Sequence, residues 1–248
     1  MGVGSKLPRP VRRVAVRATR GVVRVTGIKG REELAFWTDH WDAHIRGGSL
    51  WGDNTLELCG DDAVADDYLG RRWQQARAEV RRVLDEASID DPDFFAGKTV
   101  LDIGPGCVGF PDAVPAARSF GVDPIAEDYR EAGLLLESEA IYLHTPAERI
   151  PLLSGTIDVV VCRNSLDHVD KPTVVLDEIH RLLRPGGTLI LNVDLDHPAS
   201  PTEPHEISAG RLRGWLANFK IVREDEWTHG HAGEGIPGHA VVIVAERP

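Results

Sequence analysis

Two aspartates in this chain each end a short apolar run and lead straight into a turn. Asp102 closes the run that begins at Thr99, and Gly104-Pro105-Gly106-Cys107-Val108-Gly109 follows. Asp123 closes the next run, around Phe120 and Val122. A carboxylate at the C-terminal end of a buried strand stands where open α/β sheets bind ligands. The glycines permit a tight turn and close approach of the backbone to a ligand. The turn matches G-x-G-x-x-G, a dinucleotide pattern that is weak when it stands alone. Asp102 argues against a pyrophosphate, which it would repel, and suits a cationic group instead. Asp123 lies where an acid commonly grips a ribose diol. The two together fit a cofactor that carries an amino-acid moiety and a ribose but no phosphate. S-adenosyl-L-methionine is such a molecule.

A third candidate for chemistry is His168, in Leu166-Asp167-His168-Val169, just past another aliphatic run. Histidine exchanges protons near neutral pH, so it is a candidate base for an acceptor hydroxyl. Asp167, or Asp194 at the end of the following strand, is placed to orient the ring. The plainer alternative is that His168 caps the helix starting near Lys171 or packs beneath the cofactor. The C-terminal part holds five more histidines (His197, His205, His229, His231 and His239), with Asp196, Glu203, Glu206 and Glu234 among them. None has the tight spacing of a metal motif, so no metal is expected. Residues 195–207 hold Pro198, Pro201 and Pro204, too many for a helix, and are expected to form a flap over the site.

Positioning these residues requires strands that end together. Strands are expected at 99–102, 119–122, 140–143, 157–162, 188–193, 219–223 and 240–245, with helices near 109–117, 126–136, 173–183 and 208–217. Such alternation implies a mostly parallel sheet covered on both faces. The last strand follows a loop without helical pattern and is expected to pair antiparallel. Upstream, Asp66 to Ala87 reads as a helix whose stripe is Tyr68, Leu69, Trp73, Ala76, Val80, Val83 and Leu84. Residues 32–60, with Phe36, Trp37, Trp41 and Trp51, read as a short helix and loop that either pack at the sheet edge or cover the substrate. Three regions follow: a basic extension at 1–31, a helical cap or lid at 32–96, and the cofactor-binding domain at 97–248.

TVLDIGPG (Thr99 to Gly106), GVDP (Gly121 to Pro124), IDVVVCRNSLDHV (Ile157 to Val169) and LDEIHRLLRPGGTLILNV (Leu176 to Val193) occur in that order. In combination they closely resemble the class I S-adenosylmethionine-dependent methyltransferases, in particular a broad bacterial small-molecule branch. The resemblance covers roughly residues 97–195. It implies a Rossmann-like α/β sheet in which Asp102, Gly104 and Gly106 wrap the methionine part of the cofactor and Asp123 holds the ribose. It further implies that Pro124 and Ile125 pack near the adenine, that the Ala147 N–H meets it, and that Arg163 and Asn164 line the methionine end. Pro146 stands where the family often has an acid for the adenine amine. The implied activity is methyl transfer to a small-molecule, sugar or glycan-precursor acceptor, most simply on oxygen, with His168 and Asp194 closest to the chemistry. Arg184-Pro185-Gly186-Gly187 reads as a structural turn from helix to strand.

The 248 residues suit one α/β domain with additions. Three cysteines at irregular spacing give neither a disulfide framework nor a metal motif, which points to a reducing cytoplasm. No run is long and apolar enough to span a membrane, and the N-terminus lacks the apolar core of a signal peptide. The formal charge of −11 is uneven, because residues 1–31 hold nine Lys or Arg and no acid. The acidic remainder excludes a nucleic-acid surface. The basic extension, amphipathic if helical, reads as a solvated tail, or as an arm that docks on the acidic body of its own or another subunit or on an anionic membrane surface. Two competing readings remain: a non-catalytic scaffold that binds cofactor, and an NAD-dependent oxidoreductase suggested by the glycine pattern.

Overall fold

Near-continuous aliphatic runs of the kind that line the interior of a parallel sheet form the centre of this chain. The computed structural model describes residues 27–50, 55–60, 63–200, 202–230 and 237–248. The strands are β1 (Thr99–Ile103), β2 (Arg118–Asp123), β3 (Ile141–His144), β4 (Ile157–Arg163), β5 (Leu183–Leu195), β6 (Lys220–Gly230) and β7 (Pro237–Glu246). They make a seven-stranded sheet in the order β3-β2-β1-β4-β5-β7-β6. The first five are parallel, and β7 lies antiparallel between β5 and β6. The chain order reverses between β1 and β4, so the C-terminal ends of these strands open a crevice.

The helices are α1 (Gly27–Trp41), α2 (Thr55–Leu58), α3 (Tyr68–Glu86), α4 (Phe110–Ala113), α5 (Ala126–Glu131), α6 (Pro172–Leu182) and α7 (Ala209–Trp215), and α1 runs on into a π-helical turn over Asp42–Arg46. Side chains alternate across a strand, and this divides the core. Leu101, Ile103, Val160 and Cys162 pack with Val175, Leu176 and Ile179 of α6 and Leu212 of α7. Val100, Val159 and Val161 face the other way, onto Val80, Val83 and Leu84 of α3. The Asp67 carboxylate caps α3 by accepting from the Gly70 N–H at 2.8 Å. Leu69, expected in its buried stripe, is exposed instead.

The differences from expectation have local causes. The helix expected at 109–117 shrinks to Phe110–Ala113, since Pro115 cannot continue it. The one expected at 126–136 stops at Glu131. Gly133 has φ +71°, and the Leu134 N–H returns to the Tyr129 carbonyl at 2.9 Å, closing the helix with a left-handed glycine. The Arg184-Pro185-Gly186-Gly187 turn lies within β5, where pairing with β4 shifts register and Gly186 has φ +70°. Strands β6 and β7 run longer than expected because their ladder extends to Gly230 and Pro237. No helix among the described residues is long and apolar enough to cross a membrane.

Candidate functional site

Parallel pairing sets Asp102 opposite Gly121 and Ile103 opposite Val122, which leaves Asp123 at the adjacent tip. Both carboxylates are buried, each residue being 6% exposed. The Gly104 N–H donates to the Val122 carbonyl at 2.9 Å and draws the glycine turn across the β2 end. Gly104 and Gly106 take φ of +66° and +53°, backbone that only glycine adopts freely. Space is equally limiting. A Cβ at Gly104 would meet the Ser165 Cβ at 2.6 Å, and one at Gly106 would meet the Trp37 ring at 2.7 Å.

The electrostatics of this pair are those of a cation receptor. Burial pushes Asp102 up to about 8, with the Asp123 charge adding to the rise. Burial likewise pushes Asp123 up to about 7; the Ile125 and Gly106 N–H groups oppose it and Glu33 reinforces it. The Ile125 N–H donates to Asp123 Oδ1 at 2.9 Å. Among the described residues no salt bridge reaches either carboxylate. An entering cation therefore favours their charged forms. S-adenosylmethionine fits this donor set, because its ammonium meets a carboxylate and its ribose hydroxyls donate to one.

The aromatic segment before the sheet covers this pair. Trp37 of α1 lies on Gly106, donates from Nε1 to Glu33 Oε1 at 2.8 Å, and stacks on Trp41 with centroids 5.7 Å apart. Trp37, Trp41, Cys107, Ile125, Tyr129 and Leu134 form one cluster. α1 thus packs over the glycine turn. Glu33, Trp37 and Tyr129 are the site residues that sequence reasoning missed. The only signal was the Trp37–Trp41 pair at one helical turn. Tyr129 is buried, feels the Asp123 charge, and its Oη finds no hydrogen-bond partner among the described residues. Trp51 lies outside the described residues.

Ile125 is buried under α1, whereas Pro124 is exposed. Ala147, in the loop after β3, is buried in the core cluster that holds Leu101 and Val122. Asn164 is exposed with φ +45°, and its N–H donates to the Asn192 carbonyl at 3.0 Å.

Arg163 is placed differently from the resemblance. Its side chain shares the face of Val159 and Val161 and turns toward α3. It pairs with Glu79 and binds Glu86 through Nη2 at 3.0 and 3.1 Å. Asn192 Nδ2 donates to the same Glu86 at 3.1 Å. This arrangement ties β4 and β5 to α3 and gives Arg163 a structural task rather than a contact with the methionine end. Removing one partner of a buried pair costs about 3 kcal/mol. Arg163→Met is therefore expected to lower stability in urea by about 3 kcal/mol while leaving S-adenosylhomocysteine affinity within about twofold, and that titration checks the reassignment.

Past β4 and β5 lies a second polar group. His168 Nε2 stands 3.9 Å from Asp167 Oδ1 and 3.7 Å from Glu203 Oε1. Burial raises the Asp167 carboxyl above its usual range, with Glu203 and Asp194 adding to the rise and His168 opposing it. The Asp194 charge thus reaches Asp167, which neighbours His168. Residues 195–207 fold back beside it: the Asp196 N–H donates to the Ile207 carbonyl at 2.9 Å, and His205 Nε2 lies 2.8 Å from the Val169 carbonyl oxygen. His239 lies apart, 3.2 Å from Glu226 and 3.7 Å from Asp196. Pro201, His231, Glu234 and residues 1–26 of the basic extension lie outside the described residues.

A family model described as a methyltransferase domain matches residues 101–191, which hold Asp102, Asp123, Asp167 and His168. Over that span the chain carries a domain similar to the class I S-adenosylmethionine-dependent methyltransferases. The ubiquinone biosynthesis O-methyltransferase of Pseudomonas paraeruginosa is 33% identical over 140 residues, covering 51% of this chain. This chain spans 59% of the length of that relative. An uncharacterized methyltransferase of Mycolicibacterium vanbaalenii is 27% identical over 198 residues, which cover 79% of this chain and 69% of that protein. Among solved structures, an S-adenosylmethionine-dependent methyltransferase from Mesorhizobium loti superposes with TM-score 0.53 at 15% identity, covering 70% of this chain and 98% of its own. The [4+2]-cyclase SpnF superposes with TM-score 0.56 at 16% identity, covering 89% and 96%. These likenesses are of fold: a Rossmann-like sheet with one antiparallel end. They accord with S-adenosylmethionine as the cofactor of the family.

Proposed function

We propose that this chain transfers a methyl group from S-adenosylmethionine to a hydroxyl of a small-molecule acceptor, of which a sugar or glycan precursor is one class. The observation that carries the reading is the pair Asp102 and Asp123, buried side by side at the β1 and β2 tips without a salt bridge among the described residues. When bound, the cofactor supplies a methyl on a positively charged sulfur. In this reading Asp102 meets the amino-acid end, Asp123 accepts from the ribose, and α1 shields the reacting centre from water. In the same reading Pro124, Ile125, Ala147 and Asn164 would border the cofactor, with Ile125 packing toward the adenine.

Methyl transfer depends largely on holding the acceptor in line with the donor. A hydroxyl acceptor must also lose a proton, and His168 and Asp194 stand where that proton can go. The name of the Pseudomonas paraeruginosa relative supports an oxygen acceptor. Fold does not settle the reaction, as the [4+2]-cyclase neighbour illustrates. Three free, buried cysteines (Cys59, Cys107 and Cys162) favour a reducing cytoplasm. Residues 1–31, with nine bases and no acid, suit an anionic partner or membrane surface.

The test is transfer of labelled methyl from S-adenosylmethionine to a panel of hydroxylated small molecules. A product heavier by one methyl group, lost in His168→Ala with S-adenosylhomocysteine binding retained, is the expected result. Binding without transfer to any hydroxyl, amine or carbon acceptor would leave the scaffold reading in its place.

A further inference from the structure

Asp167 is 5% exposed, and its Oδ1 accepts no hydrogen bond among the described residues. A buried carboxylate oxygen left without a partner is costly, and this one lies 3.9 Å from His168 Nε2. Glu203 Oε1 lies 3.7 Å from the same imidazole nitrogen. One ligand atom each from Asp167, His168 and Glu203 lies within 4.8 Å of the other two. Ligand atoms about 2.1 Å from a cation stand about 3–3.6 Å apart in a tetrahedral or octahedral shell. The two measured separations, 3.9 and 3.7 Å, need only a small contraction to reach that range.

We propose that Asp167, His168 and Glu203 form a divalent-cation site at the acceptor end of the cleft. The inference deepens the proposed function and rests on its placing the acceptor beside His168. Two carboxylates and one imidazole suit zinc or manganese. The surroundings hold the ligands in place. The Glu203 N–H donates to Ser200 Oγ at 3.0 Å, His197 Nδ1 lies 3.3 Å from Glu203 Oε2, and His205 pins the flap to the loop after β4. The Glu203 and His168 side chains are 30% and 26% exposed, which gives an ion access from solvent. Three protein ligands leave coordination positions open, and an acceptor oxygen takes one of them. In that state His168 gives its lone pair to the cation. The bound hydroxyl loses its proton to Asp194, the new O–C bond forms, and the S–C bond of the cofactor breaks with its electron pair returning to sulfur. The sequence concealed this group because its ligands come from one loop after β4 and another after β5, without a recognisable spacing.

The full chain, stripped with a chelator and dialysed, is titrated calorimetrically with manganese chloride and separately with zinc sulfate. S-adenosylhomocysteine is titrated into the same samples. The expected result is one ion per chain for at least one metal, with affinity reduced tenfold or more in Glu203→Gln and in His168→Gln and cofactor affinity unchanged in both. No stoichiometric ion in the wild type, or equal binding in wild type and Glu203→Gln, would overturn the site. A wild type that binds the ion but not S-adenosylhomocysteine would uphold it while refuting the cofactor reading.

Discussion

Asp123→Asn is expected to weaken S-adenosylhomocysteine binding by roughly 10²- to 10³-fold, while the ligand-free protein at pH 8 melts no lower than the wild type. The two halves of this expectation share one cause. Asp123 is buried and its charged form is disfavoured, so its carboxyl is pushed up to about 7. At pH 8 the ligand-free fold carries an ionised group that burial opposes, and an amide removes that charge with little change of shape. The Asn Oδ1 can still accept the Ile125 N–H that Asp123 Oδ1 accepts. With ligand present the balance inverts. A carboxylate accepts both ribose hydroxyls through charge-assisted bonds worth about 1.5–3 kcal/mol each, and an amide offers one acceptor and an unwanted donor. Loss of about 3–4 kcal/mol corresponds to the stated drop in affinity. Calorimetric titration and thermal melting of the same two proteins check both halves. A variant that loses stability and keeps affinity would make Asp123 a structural residue.

The second large effect is on pH dependence. Asp102 and Asp123 titrate at about 8 and about 7 in the fold, whereas an aspartate in an unfolded chain titrates near about 4. Between those limits the folded state binds more protons than the unfolded one. Their contribution to stability is therefore favourable below about pH 4 and is lost as pH rises through 7 and 8. A ligand that prefers both groups ionised acts in the opposite sense. Its binding expels protons below pH 8, and its affinity climbs with pH. The ligand-free melting temperature should thus fall from pH 6 to pH 8.5, and the increment added by a fixed concentration of S-adenosylhomocysteine should grow over the same range. Thermal melts in matched buffers measure both trends. An increment that shrinks with rising pH would mean the ligand binds protonated carboxyls or binds elsewhere.

The frame of the site could be read from sequence because it rests on local chemistry. An aliphatic run, an aspartate and a glycine turn can hardly be arranged otherwise than as a strand tip with a ligand-facing loop. The same holds for the strands β1, β2 and β4, whose runs were found close to their expected bounds. What could not be read depends on which face a side chain takes. Arg163 follows Val159 and Val161, and β4 is apolar on both faces, so alternation gave no hint that the guanidinium would turn toward Glu79 and Glu86 on α3. Trp37 illustrates a second kind of omission. Its helix was expected, but its seat on Gly106 depends on how α1 crosses the sheet, which no local pattern encodes. Glu203 is a third. It reaches His168 only because residues 195–207 fold back across the end of β4.

The central claim is that the paired carboxylates receive a phosphate-free, cationic nucleoside. Titrating the full chain at pH 8 with S-adenosylhomocysteine and, in parallel, with NADH tests it most directly. The account predicts one-to-one binding of S-adenosylhomocysteine and none of NADH at the same concentration. Saturable binding of NADH, with S-adenosylhomocysteine ignored, would contradict it.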